Sequence, residues 1–224
     1  MRLGKKLRIL GVSTVIVLLV GGIVVRRIIA SHKDPESLPE LLTVGTPAPA
    51  FTAVDTRGQT HSLADYADKW VVLEWFNHGC PATKAHYAPL ANGIGNTQAM
   101  QKDYTQRGVI WLSVVSSGPG RQGFTSAEKA EKQARDKGAT PTAIIRDTAG
   151  VLGRLYGARN TPQYAIIDPE GQLRYAGAID NKPSASAKTI AEATNYVRAA
   201  LDAGLAGQPI AVIQAQPYGC EVKY

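Results

Sequence analysis

A short apolar run, followed by a tight turn and a proline, constrains the fold of this chain most strongly. Residues 71–76 read Val-Val-Leu-Glu-Trp-Phe, a β-branched and aromatic run that is typical of a strand covered on both faces. Residues 77–79, Asn-His-Gly, interrupt the run, and Pro81 follows. Proline favours the first position of a helix, where its missing N–H costs nothing. The pattern therefore predicts a strand, a turn and a helix that begins at Cys80.

Cys80 is the candidate reactive residue. The free N–H groups of a helix N-terminus favour the thiolate, which is the nucleophilic form of cysteine. Lys84 lies one helical turn further on the same face and His78 lies two residues upstream, so we expect both side chains to lower the thiol pKa further. The alternative is a buried, inert cysteine that acts as a small hydrophobic residue. The strand, the turn and the proline together favour the reactive cysteine.

At these residues the sequence resembles the redoxin group of the thioredoxin superfamily, the alkyl hydroperoxide reductase and thiol-specific antioxidant (AhpC/TSA) proteins. The resemblance runs from about Val44 to the C-terminus and rests on the order and spacing of six segments. They are residues 75–81, 108–117, 119–123, 156–162, 175–180 and 217–224. The resemblance implies an α/β, thioredoxin-like fold, with a central mixed sheet flanked by helices, and a peroxiredoxin-like activity.

The N-terminal region predicts a membrane anchor. Residues 9–25 form 17 positions without a charge, flanked by basic residues, which is the lower limit for a transmembrane helix. The alternative is a cleaved signal peptide, but two arginines follow the apolar run directly and make a poor cleavage site. The distribution of basic residues favours a cytoplasmic N-terminus. We therefore expect a single-pass protein of the bacterial inner membrane, with its domain in the periplasm, where disulfides are permitted.

The chain divides into four predicted regions. They are an anchor at residues 1–30 with its span at about residues 9–25, a linker at 31–43, a thioredoxin-like redoxin domain at 44–207 and a C-terminal tail at 208–224 that carries Cys220. Periodic apolar residues predict one closing helix from about Ile190 to Gly207. The net charge of +7 comes from the first 33 residues, and the remainder is balanced. Nothing in that balance suggests a nucleic-acid surface.

The second cysteine of the chain is far from the first in sequence. Thr83 stands three residues after Cys80, where redox-active members of the superfamily usually carry a cysteine, and Cys220 is the only other cysteine. Cys80 therefore works alone, is resolved by an external thiol, or pairs with Cys220, since long loops cost only slowly more to close. Such a pair is either catalytic, with Cys220 as resolving cysteine, or a permanent structural disulfide. We favour the catalytic pair.

The resemblance assigns expected roles to two further places. Glu74 stands six residues before Cys80, where thioredoxins carry a buried carboxylic acid that accepts and returns protons. The alternative is an edge strand with Glu74 in water. The pair Thr161–Pro162 resembles the cis-proline loop that packs against the reactive cysteine, although a trans proline at the start of a strand is the ordinary explanation.

Two polar residues near Cys80 bear on the choice of substrate. Thr83 is expected either to donate its hydroxyl to the sulfur, or to a peroxide held there, or only to cap the turn. Asn77 stands where peroxiredoxins carry a threonine or serine. An asparagine can hydrogen-bond a peroxide but cannot relay a proton as that hydroxyl does.

The residues and the resemblance together predict a membrane-anchored thiol oxidoreductase that acts as an antioxidant. The expected substrate is a peroxide or a protein disulfide, and the expected reductant is an external, thioredoxin-like dithiol. No cofactor and no metal are predicted, because a copper site built from Cys80, His78 and His86 would normally offer a second cysteine nearby. The alternatives are thiol–disulfide exchange without peroxidase activity, and a non-catalytic binding domain with a structural Cys80–Cys220 disulfide.

Overall fold

A computed structural model describes residues 42–224 of the chain. The predicted membrane anchor and nearly all of the predicted linker lie outside the described residues, so both stay predictions. Between Leu42 and Tyr224 no helix is both long enough and apolar enough to cross a membrane.

Strands and helices alternate through most of the described chain. The strands are Thr52–Val54 (β1), Thr60–Ser62 (β2), Val71–Trp75 (β3), Ile110–Val115 (β4), Ala143–Arg146 (β5), Asn160–Thr161 (β6), Gln163–Ile167 (β7), Leu173–Gly177 (β8) and Cys220–Glu221 (β9). The α-helices are Pro81–Tyr87 (α1), Asn96–Gln106 (α2), Ala127–Asp136 (α3), Val151–Leu155 (α4), Ala187–Ala191 (α5) and Tyr196–Leu205 (α6). This order is that of an α/β fold, as the resemblance implies.

The central sheet has five strands in the order β5-β4-β3-β7-β8. Strands β3, β4 and β5 are parallel, whereas β7 runs antiparallel to both β3 and β8. Every residue of β3 is buried, because this strand lies in the middle of the sheet and is covered on both faces. The predicted thioredoxin-like mixed sheet is therefore confirmed.

Alternate residues of β3 point into two separate cores, as the two-residue period of a strand requires. Leu73 and Trp75 belong to a core that includes Leu152 of α4. Val72 belongs to a second core, on the other face, to which α2 and α6 contribute. The sheet is thus held between two helical layers, and the end of β3 brings the turn before Cys80 to one edge of both cores.

The prediction of one closing helix is wrong, because the structure has two, α5 and α6. The chain leaves the helical path between them, and the side chain of Asn195 accepts a hydrogen bond from the backbone N–H of Arg198. This bond makes Asn195 the N-cap of a new helix, which is a position that asparagine prefers over a helix interior. The apolar face of α6 still packs where the period predicts, with Val197 and Leu201 fully buried.

The C-terminal segment, residues 208–224, packs against the domain. Gln214 forms a β-bridge with Ala176 at the edge of β8, and β9 pairs antiparallel with β6. In the β6–β9 pair, Cys220 lies opposite Thr161. The segment therefore runs across the end of the sheet at which Cys80 lies.

Candidate active site

The turn after β3 places Cys80 at the N-cap of α1, with Pro81 in the first turn of the helix. The side-chain oxygen Oδ1 of Asn77 accepts a hydrogen bond from the N–H of Gly79 at 2.7 Å. The carbonyl oxygen of Asn77 accepts another from the N–H of Cys80 at 2.8 Å. Asparagine is suited to such turns because its side chain imitates a backbone acceptor. The predicted strand, turn and helix are confirmed, and Asn77 serves to form the turn.

The sulfur of Cys80 is held between the cis-proline loop and the C-terminal segment. Cys80 is 0% exposed, and its thiol donates to the carbonyl oxygen of Thr161 at 3.1 Å. From the other side, the backbone N–H of Cys220 donates to the sulfur of Cys80, also at 3.1 Å. Both cysteines are free thiols. The structure therefore brings together two cysteines that lie 140 positions apart in the chain.

The two thiols differ in acidity. Burial acts to raise the pKa of Cys80, but hydrogen bonds from the Cys220 thiol and from the backbone N–H groups of Thr83 and Cys220 outweigh it, so that this pKa is lowered. Burial, followed by the hydrogen bond to Cys80, raises the pKa of Cys220 to about 11. Cys80 is therefore the more acidic thiol of the pair, and Cys220 keeps its proton near neutral pH.

The groups that lower the pKa of Cys80 are not the cations that the sequence suggested. Lys84 is exposed on α1. Burial lowers the pKa of His78 to about 4, so its ring is neutral near neutral pH and cannot stabilise a thiolate by charge. The ring of His78 instead packs edge-on against Phe76 and Tyr87, with ring centroids 4.9 and 4.8 Å apart. The lowered pKa of Cys80 comes from hydrogen bonds made at the start of α1 and with the C-terminal segment.

Glu74 is fully buried in the middle of the sheet. Its carboxylate accepts hydrogen bonds from four side chains at 2.7–2.9 Å: Trp111, Ser113, Tyr87 and Gln101. Burial raises its pKa, although these hydrogen bonds act in the opposite direction. The interpretation as a buried acid is therefore confirmed, and the edge-strand alternative is wrong because β3 is the central strand. Tyr87, the last residue of α1, connects this carboxylate to the helix that Cys80 caps.

Thr83 is fully buried one turn into α1, with a hydroxyl that makes no hydrogen bond to any residue between 42 and 224. Neither expected use of this hydroxyl, donation to the sulfur or capping of the turn, is observed. Its backbone N–H bonds the Cys80 sulfur instead. A buried hydroxyl without a partner costs about 1–3 kcal/mol, so a hydrogen bond to this hydroxyl would be favourable.

The Thr161–Pro162 peptide bond is cis, as the resemblance implies, and the alternative of a trans bond is wrong. The C-terminal segment approaches this loop at Gly219, which has φ of +97°. A Cβ atom at Gly219 would lie 2.1 Å from the carbonyl oxygen of Thr161. Only glycine therefore allows the segment to pass close enough for Cys220 to reach Cys80.

The structure does not bring His86 to the sulfur of Cys80. His86 is fully buried on α1, and its two ring nitrogens bond Asn96 and Tyr218. Tyr218 also donates to Asp180 at 2.8 Å. Sequence reasoning missed Tyr218 and Asp180. The position of Tyr218, two residues before Cys220, was a usable signal, but nothing in the sequence pointed to Asp180.

A cavity of about 240 Å³ opens beside the turn before Cys80. Asn77, His78 and Gly79 line one side of it, and Gly123 to Thr125 line the other. Residues 123–125 belong to the loop between β4 and α3. None of residues 208–224 lines this cavity, so a small molecule can contact the turn through it without displacing the C-terminal segment.

Comparison with known proteins gives one family and several relatives. The model of the AhpC/TSA family matches residues 44–176. A curated relative from Yersinia pestis, the thiol:disulfide interchange protein DsbE, is 28% identical over 158 residues, covering 67% of this chain and 72% of the relative.

Two solved structures cover most of the chain. An uncharacterized conserved protein from Geobacillus kaustophilus has a TM-score of 0.66 and 25% identity, covering 83% of this chain and 94% of its own. A hypothetical protein from Sinorhizobium meliloti 1021 has a TM-score of 0.66 and 22% identity, covering 83% of this chain and 96% of its own. The family match spans more than half of the chain and includes Glu74, Cys80 and the cis-proline. The chain therefore belongs to the AhpC/TSA family, a redoxin family of thiol oxidoreductases with the thioredoxin-like fold.

Proposed function

We propose that the domain is a two-cysteine thiol oxidoreductase in which Cys80 is the nucleophile and Cys220 is the resolving cysteine. One observation carries the proposal: the backbone N–H of Cys220 lies 3.1 Å from the sulfur of Cys80. This proximity lets the two sulfurs form a disulfide with little movement. The lowered pKa of Cys80 and the raised pKa of Cys220 support the assignment of roles.

The reaction has two steps. The thiolate of Cys80 attacks one sulfur of a substrate disulfide, the substrate S–S bond breaks, and one substrate thiolate leaves. The thiol of Cys220 then loses its proton and attacks the sulfur of Cys80. The mixed disulfide breaks, the second substrate thiolate leaves, and a Cys80–Cys220 disulfide forms. An external dithiol, thioredoxin-like in its chemistry, reduces that disulfide and restores both thiols.

Access to Cys80 requires the C-terminal segment to move, since Cys80 is 0% exposed beneath it. The β6–β9 pair contains only two residues in each strand, so its separation breaks few backbone hydrogen bonds. Once the segment has moved, the edge of β6 beside the cis-proline is open to an extended polypeptide that carries a disulfide. This geometry supports exchange with protein disulfides as the activity.

Peroxide reduction is a second candidate. The unbonded Thr83 hydroxyl favours it, because this buried donor faces no partner among the residues described and can hydrogen-bond a peroxide or sulfenic oxygen. Against it, the Oδ1 of Asn77 is engaged by Gly79, and an amide cannot relay the proton that the leaving oxygen requires. Membership of the AhpC/TSA family supports peroxide as substrate, whereas the name of the Yersinia relative supports disulfide exchange.

The remaining alternative is a non-catalytic domain in which a permanent Cys80–Cys220 disulfide ties the C-terminal segment down. The segment has other attachments that make such a bridge unnecessary. Val222 is buried in the core around β3, and Tyr224 donates to the carbonyl oxygen of Ala158 at 2.5 Å. These contacts support a reversible disulfide.

The test is a redox titration with wild type, Cys80→Ser and Cys220→Ser. We expect the wild type to turn over a peptide disulfide with a thioredoxin-like reductant, and both variants to lose this turnover. We expect Cys220→Ser to accumulate a mixed disulfide at Cys80. A wild-type disulfide that resists dithiothreitol in the folded protein would instead identify the structural bridge. Rapid consumption of hydrogen peroxide that depends on Cys80 would select the second candidate.

The location of the domain belongs to the same proposal. The uncharged run at residues 9–25, between two basic flanks, supports a retained anchor and a periplasmic domain. Alkaline phosphatase fused after Tyr224 should be active if the domain is exported, whereas a cytoplasmic domain would leave it inactive. Extraction with sodium carbonate should leave the fusion in the membrane fraction, and its release would contradict the anchor.

A further inference from the structure

The C-terminal segment is attached on both sides of Cys220. On the downstream side the backbone N–H of Val222 donates to the carbonyl oxygen of Arg159 at 2.8 Å. On the upstream side the nearest buried attachment is a side chain, the hydroxyl of Tyr218. Gly219 alone separates this tyrosine from Cys220, so the Tyr218 contact constrains Cys220 together with the hydrogen bonds that Asn160 and Thr161 donate to the carbonyl oxygens of Gly219 and Cys220.

The hydroxyl of Tyr218 lies between two buried groups. His86 Nε2 and Asp180 Oδ1 are each 2.8 Å from it, and both residues are at most 2% exposed. Asp180 follows the end of β8, whereas His86 lies on α1, six residues after Cys80. The contact therefore joins the C-terminal segment both to the sheet and to the helix that Cys80 caps.

The donor and the acceptor of each hydrogen bond around the Tyr218 hydroxyl can be assigned. The side-chain amide of Asn96 donates to Nδ1 of His86 at 3.1 Å, so the proton of the neutral ring is on Nε2. Nε2 then donates to the oxygen of Tyr218, whose own proton goes to Asp180 Oδ1. The backbone N–H of Lys182 donates to the same oxygen at 3.1 Å. Tyr218 thus satisfies one buried donor and one buried acceptor at once.

We propose that Tyr218, His86 and Asp180 are positioning residues that hold Cys220 against Cys80 and thereby determine how fast Cys220 closes the disulfide. This inference rests on the proposed pairing of the two cysteines. When the segment is held, the second step is intramolecular, with a high effective concentration of Cys220. When the Tyr218 contact is lost, Cys220 spends more time away from Cys80 and Cys80 becomes more accessible.

The experiment uses the whole chain and 5,5′-dithiobis(2-nitrobenzoate) as the probe, under stopped-flow conditions. The thiolate of Cys80 attacks one sulfur of the probe, whose S–S bond breaks and releases one coloured thiolate. Cys220 gives its proton to solvent and attacks the Cys80 sulfur, which releases the second coloured thiolate. The Cys220→Ser background isolates the first release, and peptide mapping identifies the cysteine that carries the probe.

In Tyr218→Phe we expect the second release to slow roughly tenfold, the change that corresponds to one lost hydrogen bond. In the Tyr218→Phe, Cys220→Ser double variant we expect the first release to be faster than in Cys220→Ser alone, because the segment covers Cys80 less of the time. Opposite effects on the two steps are the signature of positioning. A general loss of activity would slow both.

The chain offers a matched control and a conservative rescue. Tyr66→Phe also removes a phenol hydroxyl bonded to a histidine, His61, but that pair lies in the β1–β2 region, so both rates should stay at wild-type values. Asp180→Asn keeps the Oδ1 acceptor for Tyr218 and should resolve at close to the wild-type rate. Asp180→Ala should resemble Tyr218→Phe.

An unchanged second release in both Tyr218→Phe and Asp180→Ala would overturn the inference while leaving the proposed function intact. A wild type that releases only the first coloured thiolate, with no Cys80–Cys220 disulfide on peptide mapping, would overturn the proposed function itself. The two failures are therefore distinguishable in one set of measurements.

Discussion

Replacing Glu74 by glutamine and by leucine separates the hydrogen bonding of this side chain from its charge. The two carboxylate oxygens have different neighbours. Oε2 accepts from three donors at 2.7–2.9 Å: Trp111 Nε1, Ser113 Oγ and Gln101 Nε2. Oε1 lies 2.9 Å from the hydroxyl of Tyr87 and 3.4 Å from that of Tyr164. The N–H groups of Trp111 and Gln101 beside Oε2 can only donate, whereas both phenol hydroxyls beside Oε1 can reverse and accept, so a proton on Glu74 belongs on Oε1.

Glutamine fits this arrangement and leucine does not. In Glu74→Gln the amide oxygen takes the place of Oε2 and the NH₂ group faces the two phenols, so every partner stays bonded. In Glu74→Leu three buried donors, on Trp111, Ser113 and Tyr87, lose their acceptor at about 1–3 kcal/mol each, whereas Gln101 Nε2 still reaches the hydroxyl groups of Tyr87 and Ser113. The greater apolar burial of leucine offsets about 2 kcal/mol of this loss. We therefore expect Glu74→Leu to be less stable than Glu74→Gln by roughly 1–7 kcal/mol.

The charge of Glu74 gives the wild type a pH dependence that both variants lack. Burial raises the pKa of Glu74 above its ordinary value of 4.5, so the folded state keeps a proton that the unfolded chain releases. This contribution to stability is fully present below pH 4.5 and is lost as the pH rises through the raised, folded-state value. Glu74→Gln should therefore gain stability relative to wild type as the pH increases across that window.

Urea unfolding at several pH values between 4 and 8, followed by tryptophan fluorescence, measures these differences. The reasoning would be refuted if Glu74→Leu matched Glu74→Gln in stability, since the three donors would then need no acceptor. It would also fail if the stability difference between wild type and Glu74→Gln were the same at every pH. In exchange assays Glu74→Gln should stay folded and react more slowly, because an amide cannot take up the proton of a thiol.

Three further predictions concern the sulfur pair and its surroundings. In Cys220→Ala the pKa of Cys80 should rise, because the side-chain donor is removed, and the pH midpoint of iodoacetamide labelling should move upwards; an unchanged midpoint would contradict the role of the Cys220 hydrogen bond. Gly219→Ala places a Cβ atom 2.1 Å from the carbonyl oxygen of Thr161. Formation of the Cys80–Cys220 disulfide should therefore slow at least as much as in Tyr218→Phe, and rapid quench followed by mass spectrometry measures this rate. Thr83→Val removes a hydroxyl that has no partner between residues 42 and 224. We therefore expect the free energy of unfolding, measured by thermal denaturation, to be unchanged or to increase by about 1 kcal/mol. A clear decrease in this free energy would mean that the hydroxyl is hydrogen-bonded.

The local sequence pattern was sufficient to predict those parts of the site that consist of one continuous segment. The buried strand, the turn and the helix cap at Cys80 follow from residues 71–81, because each of their contacts joins near neighbours. The cis peptide at Pro162 and the burial of Glu74 followed from the resemblance. Lys84 and His78 were misjudged because the sequence shows the sign of a side chain's possible charge but not its burial.

The course of the C-terminal segment could not be predicted, for a different physical reason. Residues 208–224 have no helical or strand period, since they pack on surfaces that other elements create. Cys220 meets Thr161 through a two-residue pairing, and Tyr218 meets His86 and Asp180 through single side-chain contacts. Such contacts join positions far apart in the chain, and no local spacing encodes them.

The separation of the two cysteines changes how the pair can be controlled. When the second cysteine stands three positions after the first on one helix, the helix fixes the distance between the sulfurs. Here Thr83 occupies that place, and the second sulfur lies on a segment that also covers the first. The thiol with the lowered pKa is 0% exposed, whereas Cys220 is partly exposed and keeps its proton.

Reactivity toward a large substrate therefore depends on movement of the C-terminal segment as well as on the acidity of Cys80. Departure of the segment exposes Cys80 but also removes the hydrogen bonds of Cys220 that lower the pKa of Cys80. The backbone N–H of Thr83 stays in place at the start of α1 and continues to favour the thiolate. The same movement that admits the substrate thus makes the thiolate more basic, and a more basic thiolate is intrinsically the stronger nucleophile. In the proposed reaction, return of the segment then brings the sulfur of Cys220 to Cys80, so one motion orders both steps.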